Sequence, residues 1–257
     1  MDPMDILTRR EGAVLAIEFN RPQKKNAFTS AMYEALAAAL GEAERDDSLR
    51  AVIFHGAGGV FTAGNDIEDF ARRPPRGADS PVFRFLEAAS RASKPLVAAV
   101  SGPAVGIGTT LLLHCDLVYA GEDARFRLPF ASLGLVPEFA SSYLLPLVAG
   151  YQRAAELLLL GEAFGAQKAF AAGFVTEVVP AGEALGAARA AAAKIAALPA
   201  KSVRLTKALL KSAHGEAVRN QMRVEGAHFR QMLEEPAARE ALAAFLEKRA
   251  PDFSKAP

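Results

Sequence analysis

The stretch SGPAVGIGTTLLLHCD, Ser101–Asp116, decides the fold of this chain of 257 residues. It lies within a longer run, Pro95–Leu113, that carries no charged side chain. That length approaches a membrane span, which needs about 20 apolar residues in continuous helix. Gly102-Pro103 and then Gly106-Ile107-Gly108 would interrupt such a helix twice within two turns. The run therefore reads as two adjacent elements, a buried strand PLVAAVSG and a helix opening near Gly108, and not as a membrane segment.

The flanking sequence repeats this pattern. AVLAIEFN (Ala13–Asn20), RAVIFHG (Arg50–Gly56) and CDLVYAG (Cys115–Gly121) read as strands. SAMYEALAAALGEAERD (Ser30–Asp46), with Ser30 as its N-cap, and PVFRFLEAASRAS read as helices. Alternating strands and helices predict an α/β fold. After Gly173-Phe174-Val175 strand residues disappear. Helical patterns then follow in GEALGAARAAAAKIAAL, LPAKSVRLTKALLKSA and GEAVRNQMRVEGAHFRQMLEE, with Val218, Met222, Phe229 and Met232 at helical spacing. Pro236 opens a last helix with Leu242, Phe245 and Leu246 on its apolar side. Residues 1–197 are thus expected to form the α/β core and 198–257 a helical region. The apolar residues of that region (Val203, Leu209, Met222, Phe229, Leu246) are too many to face water all round, so part of it is expected to pack on another subunit.

Composition excludes several classes. Hydrophobic residues at 51% and charged residues at 23% describe an ordinary soluble globular protein. A net charge of +1 argues against a nucleic-acid binder, which would show a basic face. The single cysteine, Cys115, cannot close an intrachain disulfide, and MDPMDILTRREG has no apolar segment behind a basic start. A cytoplasmic protein is expected.

The familiar catalytic motifs are missing. The four histidines are far apart in sequence and no His/Cys pair has zinc-ligand spacing, so no metal site is expected. His114-Cys115-Asp116 reads as a buried junction, because three consecutive side chains point in different directions. There is no G-x-S-x-G elbow, no third glycine for a dinucleotide fingerprint and no phosphate loop. Two glycine-bearing turns remain, GVFTAGNDIEDF (Gly59–Phe70) and the opening stretch. Such turns expose backbone N–H groups, and two of them facing each other could stabilise an oxyanion. On spacing alone they serve equally well as tight packing turns.

Four segments, RPQKKNAF, FTAGNDIEDF, GPAVGIGTTLLLHCDLVYA and FRLPFASLGLVPEFASSYLLPLVAG, resemble the crotonase family in order and separation, over essentially the whole chain. This family is also called enoyl-CoA hydratase/isomerase. The resemblance implies a spiral core of ββα units and C-terminal helices that build a trimer or a dimer of trimers. It also implies an acyl-CoA thioester substrate with no separate cofactor, coenzyme A being part of the substrate. Carried over by position, the oxyanion amides fall at Asn65 and Ile107, in turns shaped by Ala63, Gly64, Gly106 and Gly108. Asn65-Asp66-Ile67-Glu68 is similar to the family's loop for the CoA adenine. Lys24 and Lys25 resemble its basic entry segment near the CoA phosphates; without that context they would read as solvated charge.

The resemblance also narrows the reaction. Hydratases of the family hold water with two glutamates, and this chain has Thr110 and Phe130 at those positions, which cannot activate water as carboxylates do. One carboxylate stands instead at Glu138 in LGLVPEFASSYLLP, which resembles the base of the peroxisomal-type Δ3,Δ2-enoyl-CoA isomerases. In isolation a Pro-Glu loop reads as surface. In that branch the glutamate removes a proton from C2 of a 3-enoyl thioester and returns it to C4. A glycine usually follows this glutamate; Phe139 stands here, and with Thr110 and Phe130 it is expected at the pocket. Hydration, ring isomerisation of an aromatic acyl-CoA, and non-catalytic acyl-CoA binding are the alternatives.

Overall fold

In the computed structural model, which describes residues 4–74, 77 and 79–255, the decisive run begins with a strand at Leu96–Val100 that is buried along its whole length. Its residues alternate between two cores. Leu96, Ala98 and Val100 face the main core, while Val97 and Ala99 join a smaller cluster containing Ala184, Ala188 and Ala192. A central parallel strand covered on both faces tolerates no charge on either, which accounts for the uncharged run.

In chain order the strands are β1 (Ile6–Glu11), β2 (Val14–Phe19), β3 (Ala51–Gly56), β4 (Leu96–Val100), β5 (Pro103–Val105), β6 (Leu117–Gly121), β7 (Arg125–Arg127), β8 (Phe164–Gly165) and β9 (Glu177–Val179). The main sheet has the order β1-β2-β3-β4-β6-β9. Its β1–β2 pair is an antiparallel hairpin, and its other neighbours are parallel. A small sheet, β5-β7-β8, lies beyond the end of β4. The chain thus passes from the main sheet to the small one across Ser101-Gly102, so one continuous segment belongs to both.

The helices are α1 (Ser30–Arg45), α2 (Ile67–Arg72), α3 (Pro81–Arg91), α4 (Ile107–Thr110), α5 (Ser141–Ala149), α6 (Tyr151–Ala155), α7 (Ala166–Ala171), α8 (Ala184–Ala196), α9 (Ala200–Ser212), α10 (Gly215–Met232) and α11 (Pro236–Leu246). Helix α8 covers one face of β3, β4 and β6. Helices α1 and α3 pack side by side against the main core. No helix among the described residues is long and apolar enough to cross a membrane.

Four local expectations change. The cap of α1 is Thr29, whose extended backbone lets its hydroxyl accept the Met32 N–H. Ser30 donates its N–H and hydroxyl to Asp69 instead, at 2.7 and 2.9 Å. Helix α4 opens at Ile107, one residue before Gly108, with β5 intervening. Strands do not end at Val175, since β9 adds a parallel edge to β6. Finally, Phe229, counted among the residues for a subunit contact, packs within the chain. It is 8% exposed and meets Phe70 edge to face at 6.1 Å between ring centroids.

Candidate active site

The two glycine-bearing turns meet. Thr62 donates its N–H to the Pro103 carbonyl at 2.9 Å, and Val105 donates to the Thr62 carbonyl at 3.0 Å. Gly64 sits at φ 89°, and a Cβ there would lie 2.7 Å from the Val105 carbonyl oxygen. Only glycine combines that conformation with so close an approach.

On its other side the first turn pairs with Phe28 as a parallel bridge. Phe28 N–H bonds to Gly64 and Asp66 N–H bonds to Phe28, at 2.7 and 2.9 Å. In this pattern the flanking residues make the bonds, so the N–H of Asn65 points away from its partner. In the second turn Gly106 (φ 55°, ψ −117°) orients the next peptide, and Ile107 becomes the first residue of α4. Among the described residues neither the Asn65 N–H nor the Ile107 N–H has a hydrogen-bond acceptor.

Both residues line a cavity of about 620 Å³. Lys24, Lys25, Ala63, Gly64, Asp66, Ile67, Glu68, Gly106, Phe130 and Glu138 line it too. Asp66 also caps α2, accepting the Asp69 N–H at 3.0 Å, and pairs with Arg21 at 2.6 Å. Burial acts against its carboxylate, yet the bonds from Arg21 and Asp69 hold it below the usual range.

Three expected site residues, Gly108 of the second turn and the pocket residues Thr110 and Phe139, lie behind the cavity wall. Gly108 is a packing position, since a Cβ there would meet the Thr62 methyl at 2.6 Å. Thr110 is fully buried and donates its hydroxyl to Glu138 Oε1 at 2.5 Å. Phe139 turns away from the cavity because its backbone is left-handed (φ 61°), and its ring stacks on His114 at 3.7 Å between centroids. It therefore neither narrows the pocket nor crowds the Glu138 carboxyl.

Glu138 presents a partly exposed face to the cavity. Burial pushes its carboxyl up to about 8, the Thr110 bond opposing this and the Glu225 carboxylate adding to it. Burial pushes the His114 ring down to about 3. The neutral imidazole donates from Nε2 to the Phe139 carbonyl at 2.7 Å. Asp116 takes a different direction, accepting the Leu96 N–H and the Lys207 ammonium, each at 2.7 Å. The His114-Cys115-Asp116 triplet is thus a junction.

Several contributors escaped the sequence reading. Tyr33, buried in α1, donates its hydroxyl to the Asn65 side-chain oxygen at 2.5 Å. Burial and, secondarily, Glu138 raise the Tyr33 phenol well above its ordinary value, so it is a neutral donor. Phe70, Phe229, Leu242, Phe245 and Leu246 complete the apolar wall, the last three from α11. Glu225 reaches the Glu138 loop from α10. It stands three residues after Met222 and four before Phe229, a charge within an apolar stripe, and that was its available signal.

Two sheets joined through one continuous strand segment, with facing turns over an acyl-sized cavity, define a crotonase fold. Residues 9–256 match the model of the enoyl-CoA hydratase/isomerase family, and the chain belongs to that family of acyl-CoA enzymes. A crystal structure of an enoyl-CoA hydratase/isomerase from Pseudoalteromonas atlantica T6c superimposes with a TM-score of 0.92 at 42% identity, covering 97% of this chain and 99% of that one. Enoyl-CoA delta isomerase 2 of Rattus norvegicus is 41% identical over 212 residues; the match takes in 80% of this chain and 54% of that protein. The 1,2-epoxyphenylacetyl-CoA isomerase of Escherichia coli is 35% identical over 259 residues, 97% of this chain and 98% of its own length.

Proposed function

We propose that the protein shifts the double bond of a 3-enoyl-CoA into conjugation, giving the 2-enoyl-CoA. The carrying observation is the place of Glu138, a half-buried carboxyl on the wall of the cavity that Asn65 and Ile107 also line, where burial raises its pKa to about 8. A base tuned near neutral pH can both take and return a proton. In this reading the thioester oxygen accepts the two unclaimed N–H groups of Asn65 and Ile107, which stabilise the enolate as charge develops. Glu138 removes the C2 proton and delivers it to C4, so one group serves both transfers. Lys24 and Lys25 at the cavity mouth bind the CoA phosphates. Thr110 and Phe130 put no carboxylate at the two positions where hydratases of the family hold water, so hydration should be slow. The relative named as an enoyl-CoA delta isomerase supports this reading.

The aromatic lining supports a second reading. Phe70, Phe130, Phe229 and Phe245 all line the cavity, and the E. coli relative that matches along its whole length is named for an aromatic acyl-CoA. Ring isomerisation of an aryl acyl-CoA would use the same amides and the same carboxyl.

One assay separates these readings. Absorbance of the conjugated enoyl thioester is followed after mixing with 3-enoyl-CoA, beside hydration of 2-enoyl-CoA and turnover of an epoxidised aryl acetyl-CoA. Rapid appearance of the conjugated product is the expected result. Efficient hydration, or turnover of the aryl substrate alone, would displace the first reading.

For assembly we propose a trimer or a dimer of trimers. Leu205, Leu209 and Leu210 on α9 and Leu147, Val148 and Tyr151 around α5 and α6 are exposed, Leu209 at 65%. Exposed apolar residues in such number mark an interaction surface. A monomeric mass by light scattering at micromolar concentration would overturn this.

A further inference from the structure

The loop carrying Glu138 passes through two consecutive non-glycine residues in the left-handed region, Phe139 (φ 61°) and Ala140 (φ 57°). Such conformations persist only where the surroundings over-determine them. Here the restraint comes from 85 residues away, the sequence separation between Ala140 and Glu225.

Glu225 of α10 is 4% exposed. Its carboxylate accepts the Ala140 N–H at 2.6 Å, the Ser142 N–H at 2.9 Å and the Ser142 hydroxyl. Gln221, one turn earlier, donates to that same hydroxyl oxygen at 2.8 Å. Burial pushes the Glu225 carboxyl up, while the bonds from Ser142 and Ala140 favour its ionised form. The donating peptides open α5, so the carboxyl also faces the positive end of that helix. Ser141 in turn donates its hydroxyl and N–H to the carbonyl of Glu138 itself, at 2.6 and 3.1 Å. A chain of short bonds therefore runs from α10 through the start of α5 to the backbone of Glu138.

We propose that Glu225 is a positioning residue for Glu138, fixing the 139–142 turn so that the Glu138 carboxyl faces the cavity beside the unclaimed amides. The proposal rests on Glu138 being the base. Its negative charge, behind the turn, also opposes ionisation of Glu138. The other groups acting there are the Thr110 hydroxyl of α4 and the neutral Tyr33 phenol of α1. Across the loop stands neutral His114, on which Lys207 and Lys211 of α9 act.

The test uses the full-length protein with Glu225→Gln and Glu225→Ala, their fold and assembly checked by circular dichroism and light scattering. Two quantities are read: kcat and KM on 3-enoyl-CoA, and the titration midpoint of Glu138. The midpoint is followed by carboxyl carbon-13 resonance, assigned by its disappearance in Glu138→Gln. With Glu225→Gln, kcat should fall about ten- to a hundredfold. KM should hardly move, and the Glu138 midpoint should move down. The alanine variant should lose more turnover than the glutamine one, which keeps the shape and one acceptor. A folded Glu225→Ala with the parental kcat and midpoint would overturn the proposal. If Glu225→Ala does not fold, an unshifted midpoint in Glu225→Gln overturns it. If the parent fails to turn over 3-enoyl-CoA and the midpoint still moves, the coupling stands and the assignment of Glu138 as base falls.

Discussion

The amide turns and the loop that carries Glu138 face the same cavity but are held by different means. Around Asn65 and Ile107 the main restraints run from backbone to backbone: Thr62 to Pro103, Val105 to Thr62, Phe28 to Gly64. Beside them the Thr62 hydroxyl donates to the Asn26 carbonyl and accepts the Gly64 N–H. Around Glu138 they run through side chains from other elements: Glu225 to Ala140 and Ser142, His114 to Phe139, Thr110 to the carboxyl itself. The turns are therefore fixed mainly by shape, the loop mainly by chemistry. Substitution at a turn should act by displacing peptide groups and be indifferent to most side-chain chemistry. Substitution around the loop should act through charge and hydrogen bonding even where volume is kept.

The sharpest test on the chemical side is Glu138→Gln, which keeps the volume. Isomerase turnover should fall about 10³–10⁴-fold, the upper part of the range for losing a general base, because one group serves both transfers. Acyl-CoA affinity by calorimetry should stay near the parental value. Full turnover in this variant would break the contrast at its strongest point.

On the shape side comes Gly64→Val. A β-branched residue at φ 89°, with the Val105 oxygen 2.7 Å from its Cβ, must move the Asn65 peptide. Losing one such donor costs roughly a hundredfold in rate. If kcat held while the protein stayed folded, the Asn65 amide would not be part of the chemistry.

A smaller effect is expected from pH. The carboxyl of Glu138 is raised in the folded protein to about 8 from an ordinary 4.5. Its basic form grows in as pH rises through the folded value, so kcat/KM should climb up to about tenfold per pH unit below the midpoint and then level. Stability runs the other way. Between the two values the folded state holds a proton that the unfolded state has lost, so stability falls as pH rises across that window and is flat above it. Glu138→Gln removes this dependence, and its melting temperature should gain on the parent between pH 5 and 8.5, about the span of the shift. A parallel pair of melting curves would show that the shift is not there.

The smallest effect on turnover belongs to Asn65→Ala, which leaves the peptide in place. It does strand the Tyr33 hydroxyl, whose partner is the Asn65 side chain. A buried donor without its acceptor costs about 1–3 kcal/mol, so the melting temperature should drop while kcat stays close to the parent. Should kcat fall as far as in Gly64→Val, the side chain and not the peptide is what matters there.

The same division sets what can be read from the sequence. The strands β2, β3, β4 and β6 and the helices α1, α3 and α8–α11 announce themselves, because periodicity or burial shows over at least five residues. Strands β5, β7, β8 and β9 have three residues or fewer and carry no period. They exist because a neighbouring chain segment offers hydrogen bonds, which local sequence does not record. The turns were legible from their glycines. Glu138 could be singled out only through the family resemblance. Its anchors, Glu225 and His114, lie 85 and 25 residues from the groups they hold. The expectation that Phe139 would reach the pocket failed for a local reason, since a left-handed residue swings its side chain off the face its neighbours share.

The contact between Thr110 and Glu138 bears on how this pocket could be turned to adding water. The two side chains are 2.5 Å apart, so Thr110→Glu would bring a second carboxyl group into hydrogen-bonding distance of the first. Two carboxylates that close cannot both ionise, and they share one proton as a dyad with two apparent pKa values. The graft alone would therefore yield a half-protonated pair in place of two independent bases. The double-bond shift would be weakened before hydration was gained. Thr110→Glu should thus be a trough between the two chemistries, and leaving it would take a second change that spreads the carboxyls apart.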